Sequence, residues 1–191
     1  MDLNNVNIIM VRDRLDNIPV WDLADGFSFR YYEPGDMNTW FGIERKADPY
    51  DTFNVDMFET TFSNRVDLLE GRMVFICDRE DNAVATSTAW YENERTGLVH
   101  WVAVVPGMQG RGLAKPLLAH TMNRLAELGH ENAMLRTQIF RIPAINLYIK
   151  AGFVPLVRSE QDKKCWEEVS SKFKASGLDG KVIETALKTA D

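Results

Sequence analysis

The chain is organised around the segment Val102-Ala103-Val104-Val105-Pro106-Gly107-Met108-Gln109-Gly110-Arg111-Gly112-Leu113-Ala114. Leu98 to Val105 is apolar at nearly every position, the pattern of a strand covered on both faces, and Pro106-Gly107 stops it. From Leu113 the period changes: Leu113, Leu117, Leu118, Met122, Leu125 and Leu128 recur at helical spacing, and Gly129 supplies a left-handed cap. A buried strand, a glycine-rich loop and a strong helix thus follow one another. That order aims several backbone N–H groups, backed by the helix dipole, at one spot suited to a pyrophosphate. Gly110 and Gly112 let the backbone approach such a ligand, and Pro116 falls where a helical N–H has little to lose. The glycine pair alone is also what a strand-to-helix turn that binds nothing contains. A dinucleotide fingerprint would need glycine at Lys115, and a Walker-A loop would need G-K-[ST]; both fail.

Met73 to Cys77 and Ala83 to Tyr91 read as a hairpin across the turn-rich Asp78 to Asn82. Ala133 to Gln138 is a further strand, Pro143 starts a short helix, Gly152 ends it, and Phe153 to Val157 extends again. Toward the front, Phe27 to Tyr32 alternates as a strand. Pro34-Gly35-Asp36 then leads into a helix through Trp40 and Ile43, and a second helix covers Val55 to Leu69. Residues before Phe27 read as a variable front end, and Trp166 to Phe173 and Val182 to Leu187 as packing or partner helices without chemistry. No repeat or Ser/Gly linker divides the chain, so one α/β domain is expected over residues 1–191, its core at about 27–157 and a helical tail at about 160–191.

Composition narrows the function. Of 191 residues, 22 are Lys or Arg and 28 are Asp or Glu, a net charge of -6 that argues against a nucleic-acid partner. Cys77 and Cys165 have no C-x-x-C spacing, so neither a disulfide framework nor a structural zinc is expected. Met1 to Asn5 open no leader pattern and no apolar run is long enough for a span, so a cytoplasmic protein without a membrane partner is expected. His100, His120 and His130 lack metal spacing, and the last two are placed on or just after a surface helix; no metal is expected.

Gln109, Gly112 and Ala114 fill the pattern Q/R-x-x-G-x-G/A, and Ala144 to Phe153 reads A-x-x-L-Y-x-K-x-G-F. In this order and separation, the two motifs resemble the landmarks of the GCN5-related N-acetyltransferase (GNAT) family, and the similarity runs from about Phe27 to Val157. The resemblance implies a mixed, twisted sheet, flanked by helices, whose central strands splay apart around acetyl-CoA. It puts the pyrophosphate on Gln109, Gly110, Arg111, Gly112, Leu113 and Ala114, and the pantetheine arm along the main chain of Val102, Ala103 and Val104. The amide at or near Val102 would polarise the thioester carbonyl. Tyr148 matches the family tyrosine that hydrogen-bonds or protonates the departing sulfur; as a residue of an apolar helical face it reads equally as packing. The family often has Asn where this chain has Arg141, which instead offers a cation to a phosphate or an acidic acceptor. Arg111 and Lys115 read either as phosphate contacts or as solvated charges.

The chemistry asks for a proton acceptor, because an alkyl amine of pKa about 10.4 is only about one part in a thousand neutral at pH 7. By strand alternation His100 shares a face with Val102 and Val104 and is the expected base; the alternatives are a hydrogen-bonded core histidine there and a base acting through water from Glu92 or Glu94. Direct attack of the amine needs no enzyme nucleophile, so a ternary complex is expected. Tyr31, Trp40, Phe41, Trp90 and Tyr91 are candidates to line the acceptor site. The reading is acetyl transfer from acetyl-CoA to a primary amine of a small molecule. Its rivals are a protein lysine or N-terminal acetyltransferase and a non-catalytic acyl-CoA sensor, and a homodimer is expected by analogy.

Overall fold

The computed structural model describes residues 6–48 and 52–190; Met1 to Asn5, read above for a leader, lie outside the described residues. Seven strands of the described residues form one mixed sheet in the order β2-β3-β4-β5-β6-β1-β7. They are β1 (Asn7–Arg12), β2 (Ser28–Tyr31), β3 (Met73–Cys77), β4 (Ala83–Tyr91), β5 (Thr96–Val104), β6 (Asn132–Gln138) and β7 (Val154–Pro155). Among the described residues six α-helices flank it: α1 (Met37–Ala47), α2 (Val55–Thr61), α3 (Ala114–Glu127), α4 (Ile142–Lys150), α5 (Glu160–Ala175) and α6 (Lys181–Thr189). No helix is long and apolar enough to cross a membrane, among the described residues.

The expected strand-helix alternation of the second half is present, and β5 is central, between β4 and β6. The hairpin of β3 and β4 is antiparallel from Met73↔Thr88 to Cys77↔Ala83. The second helix is shorter than its pattern predicts. It ends at Thr61, because Ser63 and Asn64 take φ of 54° and 55°, left-handed values no helix can carry; only a single 3-10 turn, Val66–Leu68, follows.

The front end is not variable structure. Asn7 to Arg12 inserts between β6 and β7, antiparallel to both, with Met10 opposite Leu135 on one side and Pro155 on the other. Its side chains alternate between two cores: Ile8 and Met10 join the α3 side, Ile9 and Val11 pack on the α1 side. The tail likewise belongs to the core. Cys165, Trp166, Val169 and Phe173 fall on one stripe of α5, are at most 1% exposed, and meet Ile183 of α6 in the same cluster as Leu118, Met122 and Tyr148. Burying side chains of this size contributes roughly 1.5 to 3 kcal/mol each, so α5 is an integral layer rather than an appendage. Both cysteines are free and buried.

The helices divide between the two faces of the sheet. Clusters around Trp40, Phe41, Phe58 and Phe62 put α1 and α2 on one face, and those around Leu117, Leu118, Ile145 and Trp166 put α3, α4, α5 and α6 on the other. The partition is broken between β5 and β6. Their parallel pairing covers only Thr96↔Asn132, Gly97↔Ala133 and Leu98↔Met134. Beyond that the strands part: β5 keeps β4 on its other side and β6 keeps β1. The resulting gap widens toward the carboxyl ends of both strands, where the glycine-rich loop and α4 begin.

Candidate active site

The loop after β5 makes one single turn, Pro106–Met108, and then opens. Gln109 folds back on the strand, its Nε2 donating to the Val104 carbonyl at 3.1 Å, so this side chain braces the loop. Gly110 and Gly112 sit at φ of 76° and 80°, and a Cβ at either would meet no atom within 4 Å. Helix α3 then starts from Leu113 without a side-chain cap, whereas Asn54 and Ser159 cap α2 and α5 with their own oxygens. The first helical bond runs from the Leu117 N–H to the Leu113 carbonyl, and Pro116 has no N–H to offer. The N–H groups of Gly110, Arg111, Gly112, Leu113, Ala114 and Lys115 therefore find no acceptor among the described residues. Open space over two left-handed glycines, an uncapped helix start and a run of unsatisfied donors fit a pyrophosphate. The nearby cations are turned elsewhere: Lys115 Nζ lies 5.9 Å from the Trp21 ring, and Arg111 lines a groove with Asp25, Asp78 and Glu80.

The edge of β5 that faces the gap carries Val102, Ala103 and Val104, whose other edge is paired through Ala103↔Thr86 and Val104↔Ala85. Here strand alternation fails. Thr86 pairs with Ala103 but Thr88 with His100, so Ser87 is opposed by both Trp101 and Val102. This is a β-bulge, and Trp101 within it takes φ of 50°. His100 therefore does not share a face with Val102 and Val104 as alternation predicts. It stands with Trp101 and Ala103 on the α1 side, while Val102 and Val104 pack against the α3 side. A bulky residue in the left-handed region costs of order 1–3 kcal/mol. Trp101 is held there by edge contacts with Trp40 at 5.3 Å and Phe53 at 5.9 Å between ring centroids.

His100 is wedged between Phe62 and Trp101, and burial, with the Arg136 guanidinium adding to it, pushes its pKa down to about 4. The imidazole is neutral at physiological pH, an acceptor at one nitrogen and a donor at the other. Glu92 is bound by Arg136 Nη2 at 2.8 and 2.9 Å through both carboxylate oxygens, which ties up one of the two carboxylates expected to act through water. A histidine at about 4 in the fold and near 6.5 in the unfolded chain makes acid destabilising. The unfolded chain takes up the proton first, so this contribution is intact above about pH 6.5. It declines by about 2 kcal/mol at pH 5 and about 3 kcal/mol at pH 4. Urea unfolding of a His100→Gln variant at pH 7 and pH 5 is expected to show that much less acid loss than the parent; an identical loss would contradict this environment.

Tyr148 lies across the gap on α4, 7% exposed and edge-on to Phe153 at 6.3 Å. Burial pushes its phenol up to about 12, against the opposing pull of Arg141, with Glu44 adding to the rise. Handing a proton from such a phenol to a thiolate of pKa near 8.5 would be uphill by about 5 kcal/mol. Hydrogen-bond donation is the role this environment allows. Arg141 does not reach for a phosphate: its Nε donates to Gln138 Oε1 at 2.6 Å and its Nη2 to Asp48 Oδ2 at 2.5 Å, tying the starts and ends of α4, β6 and α1 together.

Of the aromatic residues expected to line an acceptor site, Trp40, Phe41 and Trp90 belong to the α1-side cluster, with Tyr91 packed against it. Tyr31 does not join them. It is on the edge strand β2, hydrogen-bonded at 3.0 Å to His120 of α3 on the opposite face. His120 is itself stacked on Phe29, and His130, expected near the surface, is 8% exposed.

Residues 37–153 match the family model described as the acetyltransferase (GNAT) family. A mycothiol acetyltransferase of Streptomyces griseus is 27% identical over 135 residues, which cover 69% of this chain and 44% of that protein. A second, from Streptomyces bingchenggensis, is 28% identical over 141 residues, covering 72% of this chain and 46% of that protein. The chain thus spans a little under half the length of these two relatives. Among solved structures, a GCN5-related N-acetyltransferase from Sphaerobacter thermophilus superposes with a TM-score of 0.67 at 19% identity over 78% of this chain and 48% of that one. The ribosomal-protein-S18-alanine N-acetyltransferase of Escherichia coli superposes at 0.58 with 20% identity, covering 69% of this chain and 79% of that one.

Proposed function

As the chain belongs to the acetyltransferase (GNAT) family, we propose that it moves an acetyl group from acetyl-CoA to a primary amine of a small molecule by direct attack. The observation that carries this reading is the gap between β5 and β6, closed at one end by three residue pairs and faced at the other by the unsatisfied N–H groups of Gly110 to Lys115. The pyrophosphate rests on Gln109 to Ala114, with Gly110 and Gly112 leaving it room. The pantetheine arm runs beside Val102, Ala103 and Val104, taking the hydrogen bonds that a sixth-strand partner would otherwise make. The Val102 amide polarises the thioester carbonyl, which the bulge at Trp101 re-aims toward the gap.

His100, neutral at working pH, accepts a proton from the attacking nitrogen once the new C–N bond has made that nitrogen acidic. Tyr148 donates a hydrogen bond to the departing sulfur. The small-molecule acceptor is favoured by the relatives named as mycothiol acetyltransferases. Calorimetric titration with acetyl-CoA, with NAD and ATP as controls, followed by thiol release against panels of small amines and peptides, tests the reading. Acetyl-CoA binding with release driven by small amines is expected. Release with peptides alone would turn the reading to a protein acceptor, binding without any release to a sensor, and absence of binding would reduce the loop to a turn.

A further inference from the structure

Trp101 is the exception among the residues with positive φ. The other described non-glycine residues in that region, Asn17, Ser63, Asn64 and Asp81, are small, polar and outside the strands, where the left-handed conformation is readily adopted. Trp101 takes φ of 50° within β5, with a far bulkier side chain. The planar peptide unit that joins it to Val102 carries the Val102 N–H, so the backbone conformation at Trp101 aims that donor. Rings fix the side chain. Trp40 meets it edge-on at 5.3 Å and 81°, Phe53, just before α2, at 5.9 Å and 70°, and His100 is tilted against it at 5.7 Å. Trp40 is fully buried and is itself held edge-on by Phe53 at 5.7 Å and Phe58 at 5.1 Å. Neither indole N–H finds an acceptor among the described residues, so packing and not a hydrogen bond places both rings.

We propose that Trp101 is a positioning residue, whose ring, clasped by Trp40 and Phe53, holds the backbone so that the Val102 amide is preset on the thioester carbonyl, and that Trp40 acts through it. This assignment rests on the acetyl-transfer reading above, in which that amide polarises the carbonyl. A bulky residue stays in the left-handed region only where its surroundings over-determine it. Without the clasp, the backbone at Trp101 relaxes toward the extended conformation of a regular strand, the peptide unit before Val102 turns, and the donor leaves the carbonyl. Aromatic packing from α1 thus sets the strength of the oxyanion contact, although none of these rings has to touch the acetyl group.

The test reads the carbonyl itself, by isotope-edited infrared spectra of acetyl-CoA, labelled with carbon-13 at the acetyl carbonyl, bound to the full chain. In the parent the carbonyl stretch is expected below that of free acetyl-CoA. Trp101→Val removes the ring and, being β-branched, rejects the left-handed region; it is expected to lose most of the downshift. Trp101→Gly removes the same ring but admits that region freely, and is expected to keep the larger part. Trp40→Leu is expected to lose part of the downshift in the parent and none in Trp101→Gly, where the contact it breaks is already gone. Calorimetric affinity for CoA should stay within about threefold throughout, with thermal melts confirming folded protein. No downshift in the parent, equal downshifts in parent and Trp101→Val, equal losses in the valine and glycine variants, or a loss that tracks CoA affinity would each overturn the assignment alone. Should Trp101→Val not fold, Trp40→Leu decides: no effect in the parent, or the same effect in both backgrounds, overturns it. Failure of acetyl-CoA to bind the parent would overturn the acetyl-transfer reading, and this assignment with it.

Discussion

Gly112→Asp is expected to weaken acetyl-CoA binding about a hundredfold or more while the protein remains folded. Gly112 has φ of 80°, and a Cβ added to it meets nothing within 4 Å, so the protein itself does not resist the side chain. Aspartate is among the residues that visit the left-handed region most readily, and the conformational cost is about 1 kcal/mol. The new carboxylate, however, enters the space into which the N–H groups of Gly110 to Lys115 point. There it satisfies donors meant for the ligand and repels the pyrophosphate. At separations of about 5 Å and a dielectric between protein and water, each like-charge pair costs roughly 1 to 2 kcal/mol. Two such pairs give about 3 kcal/mol, or roughly two factors of ten in affinity. Gly112→Asn, of the same shape and without the charge, isolates the steric part and should lose about tenfold. Titration calorimetry with thermal melts reads both; unchanged affinity in the aspartate variant would mean that the loop holds no phosphate.

What the sequence disclosed and what it concealed follow from the range of the interactions involved. The strand, loop and helix around Gly110 and Gly112 were legible because each is a local decision: an unbroken apolar run, two backbone positions that favour glycine, and an apolar period of 3.6. The same holds for the β3–β4 hairpin and for α4, begun by Pro143 and ended at Gly152 with φ of 86°. The insertion of β1 between β6 and β7 was not, since Asn7 to Arg12 finds its partners more than a hundred residues away and a short apolar run carries no address. The bulge at Trp101 was hidden for another reason. Alternation assumes two residues per repeat, and nothing local announces the extra residue that turns His100 to the α1 face.

Tyr148→Phe is expected to lower kcat by about 10² to 10³ with little change in the KM for acetyl-CoA. The substitution keeps the ring that packs on Phe153 and removes a single oxygen, so the melting temperature should hold. The magnitude is that of one donor aimed at developing negative charge inside a water-excluded site. Its selectivity for kcat follows from timing: the thioester sulfur of the bound substrate is a weak acceptor, and only the departing thiolate draws fully on the phenol. The pH profile separates donation from outright proton transfer. With its pKa pushed up to about 12, the phenol stays protonated across the working range. Parent and variant should therefore differ by a constant factor from pH 6 to pH 10, without an alkaline limb that vanishes in the variant. Such a limb would make Tyr148 an acid that titrates in this range, in conflict with its burial, and an effect confined to KM would make it a binding contact. An unchanged rate would remove it from the chemistry and leave it as one more ring in the core around Phe153 and Trp166.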